Sequence, residues 1–218
     1  MNKHDYIIRR ETEMDYHEVE NLAREAFWNL SIPGCSEHYF IHVLRKHQAF
    51  IPELDYVIEA DGRVIGSVMY SRSRLVDENG NEKEVLTMGP LCVMPGYQRK
   101  GYGKALLEFT FGIAAELGFD TIINFGNPDN YVARGYKSCK KYNVSFCGES
   151  FPAALLVKVL KDGALDGRKW AYYQNDADAP CNDEATVEEY DKLFPPKVKS
   201  WQPSQEEFYI HSHSSITW

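Results

Sequence analysis

The chain has 218 residues, 44% of them apolar, and a formal net charge of −8. A chain of this length buries about 70% of its unfolded surface, so it can build one core, or one core with an extension, without a metal or disulfide staple. The negative balance argues against a nucleic-acid partner, and no apolar run approaches the ~20 residues that cross a bilayer, so no membrane partner is expected. Residues 1–5 lack a signal-peptide core, and Cys35, Cys92, Cys139, Cys147 and Cys181 are odd in number and scattered. Both features suit a cytoplasmic protein with reduced thiols.

In chain order, residues 6–10 read as a first strand. Asp15 is a plausible N-cap, followed by Val19, Leu22, Ala23, Ala26 and Phe27 at helical spacing. Residues 36–44 suggest a second helix. Residues 56–60 and 63–70, joined by Asp61-Gly62, form a strand–turn–strand hairpin. Asn79-Gly80 lies in the loop before an apolar strand over 85–93. That strand runs through Val93-Met94-Pro95 into Gln98-Arg99-Lys100-Gly101-Tyr102-Gly103-Lys104, and a helix follows from Ala105 to about Leu117.

The strand–turn–helix is the most informative part of the chain. Gly101 and Gly103 lack a Cβ, so the backbone can curl and several N–H groups can converge. The first helical turn adds unpaired donors and the positive end of a dipole, a ready site for a phosphate. Arg99, Lys100 and Lys104 put cationic charge beside it, against an acidic background. Gly96 and Gly101 have the spacing of a Walker loop, but Tyr102-Gly103 stands where Lys-Ser/Thr is required. A dinucleotide fingerprint is missing its third glycine, because Leu106 occupies that place. The segment instead resembles the central Q/R-x-x-G-x-G/A motif of the GNAT superfamily of N-acetyltransferases, preceded by that family's strand ending V-x-P.

A second segment carries the same resemblance. Residues 120–125 read as a buried strand, and Gly126-Asn127-Pro128-Asp129-Asn130-Tyr131-Val132-Ala133-Arg134-Gly135-Tyr136 follows. Pro128 and Asp129 look like a helix start and Gly135 like its stop. A tyrosine four residues before a Gly-aromatic pair is similar to the GNAT signature, with Asn124 where that signature often has asparagine. Asn127 and Pro128 depart from its commoner N-x-x-A form and look like a subgroup with G-x-P before the tyrosine.

The resemblance implies an α/β GNAT acyltransferase fold, a mixed, mostly antiparallel central sheet flanked by helices. It implies acetyl-CoA as co-substrate, no metal, and direct attack by an amine of a small molecule or peptide. Leu91, Cys92, Val93, Gln98, Arg99, Lys100, Gly101, Tyr102, Gly103, Lys104 and Asn124 would hold the cofactor, and Tyr131 would protonate the departing thiolate. The strand is expected to splay near 91–93, freeing backbone groups for the pantetheine and the carbonyl oxygen. Glu37, Glu59 and His38 are candidate bases. The alternative is a catalytically silent acyl-CoA-binding or sensor protein on the same fold.

Residues 151–160 look like a late strand, which completes the GNAT order β-α-α-β-β-β-α-β-α-β over a domain of residues 1–160. Residues 161–218 form an acidic extension that holds Trp170, Trp201, Phe208 and Trp218. Disordered tails are usually poor in aromatics, so it is expected to pack over the core or across a homodimer, with a helix over 184–194. His38 and His42, one helical turn apart, lack the H-E-x-x-H pattern, and His211 and His213 are no stronger as metal ligands. Cys92 could carry an acetyl group, but reads better as a small buried apolar residue. Tyr97 and Tyr102 are expected to cover the turn.

Overall fold

The computed structural model describes residues 6–217. Strand β1 (Tyr6–Arg10) pairs antiparallel with β2 (Tyr56–Ala60), and β2 with β3 (Arg63–Asp77). Asp61 and Gly62, both at positive φ (53° and 71°), make the tight turn between them. β3 runs past the expected end at Tyr70 to Asp77 and forms a long hairpin with β4 (Glu82–Val93). Arg72 and Arg74 resemble loop residues in sequence. In the sheet they stand on the exposed face, diagonal to Glu84 and Glu82 at 3.5 and 3.6 Å. The Asp77 carboxylate closes the turn by accepting the N–H groups of Asn79 (2.9 Å) and Asn81 (2.8 Å).

Helices α1 (Tyr16–Phe27) and α2 (Glu37–Leu44) cover one face of the sheet. Val19, Leu22, Ala23, Ile41 and Leu44 share a core there with Val57, Val64, Met69 and Cys92. Asp15 does sit at the N-cap of α1, but its carboxylate turns back to Thr12 and Arg9 instead of capping the helix. Helix α3 (Tyr102–Glu116) covers the opposite face, with Leu106, Leu107 and Ala114 against Ile58, Ile65, Leu86 and Ile122. Strand β5 (Thr121–Phe125) pairs parallel with β4, and β8 (Leu155–Val159) pairs antiparallel with β5. Helix α4 (Pro128–Tyr131) and the short strands β6 (Lys137–Ser138) and β7 (Val144–Phe146) lie between them in the chain.

The sheet order is β1-β2-β3-β4-β5-β8-β6, antiparallel except at β4–β5 and where β7 pairs β9 (Trp170–Tyr173). This is the mixed, mostly antiparallel sheet with flanking helices that the sequence led us to expect. Strand β9 pairs with the far end of β3 and places Trp170 and Tyr172 in a third core with Leu75, Val85 and Ile123. Helix α5 (Glu184–Asp191) lies on α1 and α2. Buried Arg24 donates to Asp191 at 2.6 Å and the Tyr190 hydroxyl to Glu20 at 2.7 Å, and Phe194 is buried beyond the helix end. Helix α6 (Pro203–His213) follows, with Trp201 and Phe208 exposed. Trp218 lies outside the described residues. Among those residues, no helix is long and apolar enough to cross a membrane.

Candidate active site

The parallel pairing of β4 with β5 is confined to Leu86↔Ile122 and Thr87↔Ile123. Beyond Thr87 the two strands part, so the split opens at Met88 and includes the expected stretch, Leu91 to Val93. The split coincides with a shift in the β3–β4 register. Val68 faces Leu91 and Tyr70 faces Met88, so β4 carries one extra residue at Gly89-Pro90. Such a bulge bends its strand and reverses which side chains face each side. Leu86 and Met88 face the α3 core before it, and Leu91 and Val93 after it, while Cys92 turns to the α1/α2 core. A Gly-Pro pair inside a strand was the sequence signal for this bulge, and sequence reading passed over it.

After β4 the chain makes a short 3-10 turn over Pro95–Tyr97 and enters the glycine-rich segment. Gln98 reaches back to donate to the Val93 carbonyl (3.0 Å), and Lys100 donates to the Gly96 carbonyl (2.9 Å). Both side chains thus brace the loop. Arg99 at φ 62° and Gly101 at φ 97° turn the backbone into the left-handed region just before α3. Gly101 is the N-cap and supplies no capping side chain. The first helical bond runs from Ala105 N–H to the Gly101 carbonyl (3.0 Å). The N–H groups of Gly103 and Lys104 precede it and have no place in the helical ladder. The Tyr102 side chain is buried, edge-on to Tyr6 and Tyr97 with ring centres 6.0 Å apart in each case, and so seats the helix. Lys104 pairs with Glu108 at 3.6 Å on the exposed side, and Arg99 is exposed.

On the other side of the split, Asn124 is buried near the end of β5, and neither its amide oxygen nor its amide nitrogen has a hydrogen-bond partner. The polar group beside it is the Tyr131 phenol, and an amide left without a partner there costs about 1–3 kcal/mol. α4 begins where Pro128 signalled it, capped by the Asn127 side chain on Asp129 N–H (3.0 Å), and its continuation stops at Gly135, φ 85°. Tyr131 ends α4, half-buried, with its ring on Gly126. A Cβ at Gly126 would lie 2.5 Å from Tyr131 Cε2 and 3.3 Å from Asn124 Nδ2. That steric need for glycine was not visible in the sequence. Burial pushes the Tyr131 phenol up to about 12, against a smaller pull from the neighbouring Asn124 amide. Tyr131 packs edge-on to buried Tyr136, ring centres 5.6 Å apart, and on the same core as Leu91, Val93 and Ala105.

Other candidates lie elsewhere. Glu59 is paired with Arg9 at 3.1 Å toward the β1 edge. His38 is buried beneath α5, its Nε2 3.3 Å from Asp191, and burial depresses its pKa to about 4. Glu37 starts α2 and accepts the Ser36 N–H, and burial raises its carboxyl. His42 pairs with Glu20 at 3.2 Å. Among the described residues no three side chains are grouped to hold a metal. The Cys92 thiol lies 3.2 Å from Ser67 Oγ and is pushed up to about 12 by burial, a poor nucleophile on the α1/α2 side of the strand.

Residues 17–138 match the family model for the acetyltransferase (GNAT) family. An uncharacterized N-acetyltransferase, YhbS of Escherichia coli K12, is 26% identical over 161 residues, covering 74% of this chain and 91% of that protein. The crystal structure of E. coli YhbS in complex with CoA matches with a TM-score of 0.68 at 24% identity, covering 79% of this chain and 91% of that one. A GNAT family acetyltransferase from Brucella melitensis, solved with acetyl-CoA, matches with a TM-score of 0.61 at 21% identity, over 80% and 98% of the two chains. With a family match over more than half its length, and a split sheet and glycine turn in the matching region, the chain belongs to the GNAT acetyltransferase family.

Proposed function

We propose that the protein transfers an acetyl group from acetyl-CoA to an amine of a small molecule or peptide by direct attack, in the cytoplasm, with residues 1–160 as the catalytic unit. The observation that carries this reading is the β4–β5 split opening between an uncapped helix N-terminus and the buried Asn124 amide beside Tyr131. The relatives solved with CoA and acetyl-CoA support the choice of ligand.

In this reading the backbone of Leu91, Cys92 and Val93 binds the pantetheine, and Asn124 supplies an amide partner. The 98–104 turn holds the pyrophosphate through its first-turn N–H groups, with Arg99 and Lys104 adding charge and Gln98 and Lys100 bracing the loop. Gly101 and Gly103 let the backbone come close, and Tyr102 anchors the helix beneath. Acetyl-CoA supplies an activated thioester. An N–H of the released β4 stretch stabilises the negative charge that grows on the carbonyl oxygen. A carboxylate or water chain takes the amine's proton, and Tyr131 donates its own to the leaving sulfur.

Calorimetric titration with acetyl-CoA, ATP and NAD, followed by thiol release over an amine panel, tests this. Acetyl-CoA alone should bind, and thiol should appear once an acceptor is supplied. Binding with no thiol from any amine would make the protein a sensor, and absence of acetyl-CoA binding would end the proposal.

A further inference from the structure

We infer that Thr87 donates its hydroxyl proton to the carbonyl oxygen of the bound thioester, as a second donor beside the β4 backbone N–H; this rests on the acetyl-CoA reading above. Thr87 is the last residue of β4 that pairs with β5, opposite Ile123. The split is therefore closed at Thr87 and open towards the glycine turn. In the reading above, the pantetheine arm leaves the turn at 98–104, passes Val93 and Leu91, and so runs towards this closed end. Asn124, one residue beyond Ile123, marks the same level on β5, and the Tyr131 phenol is its neighbour. A sulfur served by Tyr131 brings its acyl carbon, one bond away, to the level of Thr87.

The two sides of that level belong to opposite faces of the sheet. Val85 and Ile123 lie in the third core, whereas Leu86 and Ile122 lie in the α3 core. Alternation along each strand puts Thr87 with the former pair and Asn124 with the latter. Tyr131 also packs on the α3 core. The acid thus serves the sulfur from one face, and Thr87 meets the acyl group from the other.

The direction of the Thr87 hydroxyl follows from counting donors and acceptors around it. Tyr172, on β9, reaches across β3, and its buried hydroxyl lies 2.6 Å from Thr87 Oγ1. Ser73 Oγ, on β3, lies 2.6 Å from the same atom. Asn175, just after β9, donates to Ser73 Oγ from its backbone N–H (3.3 Å) and from Nδ2 (3.2 Å). Its amide cannot be turned round, because Nδ2 also donates to the Arg72 carbonyl at 2.8 Å and Oδ1 accepts the Ala177 N–H at 3.1 Å. A hydroxyl has two acceptor sites and one proton. With both its acceptor sites taken by Asn175, Ser73 gives its proton to Thr87. Among the described residues, the Tyr172 hydroxyl is hydrogen-bonded to Thr87 alone, and a buried phenol gives up its proton to its partner.

Both acceptor sites of Thr87 are then filled, and its own proton has no acceptor among the described residues. Thr87 is half-buried, so that proton turns to the space where the strands part. An acetyl thioester offers one strong acceptor there, its carbonyl oxygen. Negative charge grows on that oxygen during attack, and a donor already fixed by its neighbours stabilises it without reorganising. The same donor would hinder an amine, whose lone pair must stay free.

The test is isotope-edited infrared spectroscopy of the full chain bound to acetyl-CoA labelled with carbon-13 at its carbonyl, beside calorimetric titration. Thr87→Val keeps the shape and removes the hydroxyl, so the bound carbonyl band should move to higher frequency, with affinity falling by no more than about tenfold. Thr87→Ser keeps the hydroxyl and should leave the band near its native position. With an amine that releases thiol, kcat of the valine variant should fall about 10²-fold, and the serine variant should recover most of it. If the valine variant does not fold, Thr87→Ala gives the same reading. A band that stays in place without the hydroxyl, or that moves as far in the serine variant, overturns the inference while acetyl-CoA still binds. Failure of the native chain to bind acetyl-CoA overturns the cofactor reading with it.

Discussion

At Tyr131 a half-buried ring rests on Gly126 against Tyr136, and burial lifts its phenol to about 12 from an ordinary value near 10. The group therefore stays protonated through the neutral range, as a proton donor to a thiolate must. Tyr131→Phe keeps the ring and removes the proton. We expect kcat to fall by roughly 10²–10⁴-fold with acetyl-CoA affinity little changed, measured by steady-state kinetics beside a cofactor titration; a variant that keeps most of its kcat would take Tyr131 out of the mechanism. His38 offers a separate test. Burial outweighs the attraction of Asp191 and depresses its pKa from an ordinary 6.5 to about 4, and Arg24 adds to the depression. The unfolded chain therefore takes up this proton first as pH falls, so the stability it carries is present above pH 6.5 and is lost towards pH 4. Asp77, held down to about 2 chiefly by Asn81, titrates below that window. Asp55 and Glu37, whose carboxyls burial raises, act with the opposite sign across that window, so the His38 part is read as a difference. From pH 6.5 to 4 the melting midpoint of the native chain should drop by several degrees relative to that of His38→Gln. Equal slopes for both proteins would clear His38 of any part in it.

The turn before α3 depends on backbone conformation at Gly101. Nothing crowds a Cβ there, but φ 97° is a conformation that side-chain-bearing residues rarely adopt, β-branched ones least of all. Gly101→Val must therefore reshape the turn, and with it the direction of the Gly103 and Lys104 N–H groups. Acetyl-CoA affinity should drop tenfold or more, about 1.4 kcal/mol, while circular dichroism stays native. Calorimetry giving an unchanged affinity would remove the turn from the pyrophosphate site. The β4 strand makes the companion case. One extra residue at Gly89-Pro90 reverses the facing of Leu91–Val93 and accompanies the loss of pairing to β5.

Across the whole molecule, residues after Leu160 supply structure that the rest of the chain uses. β9 extends the sheet along β3, and Trp170 and Tyr172 cover Leu75 and Val85. α5 brings Asp191 to the fully buried Arg24. A chain ending at Leu160 would expose that core and take away both the counter-charge and part of the cover of Arg24. It should melt at lower temperature and be less soluble than the full chain; equal stability would make the extension an independent appendage.

Legible in the residues alone were the local elements with strong periodicity or punctuation, namely the β2–β3 turn at Asp61-Gly62, the glycine turn into α3, and the Pro128-Asp129 start and Gly135 stop around Tyr131. Each rests on backbone chemistry within a few residues, and a family resemblance tied them together. Tertiary structure decided the rest. β6 and β7, of two and three residues, are too short to show a period. Arg72 and Arg74 belong to a strand because β3 is paired there with β4, and at Arg74 with β9 as well. Glu59 and His38 lose their claim as bases because Arg9 and Asp191, remote in sequence, are their neighbours. The β4–β5 split, with Asn124 and Tyr131 on one side and the start of α3 on the other, exists only once residues far apart in the chain are paired into one sheet.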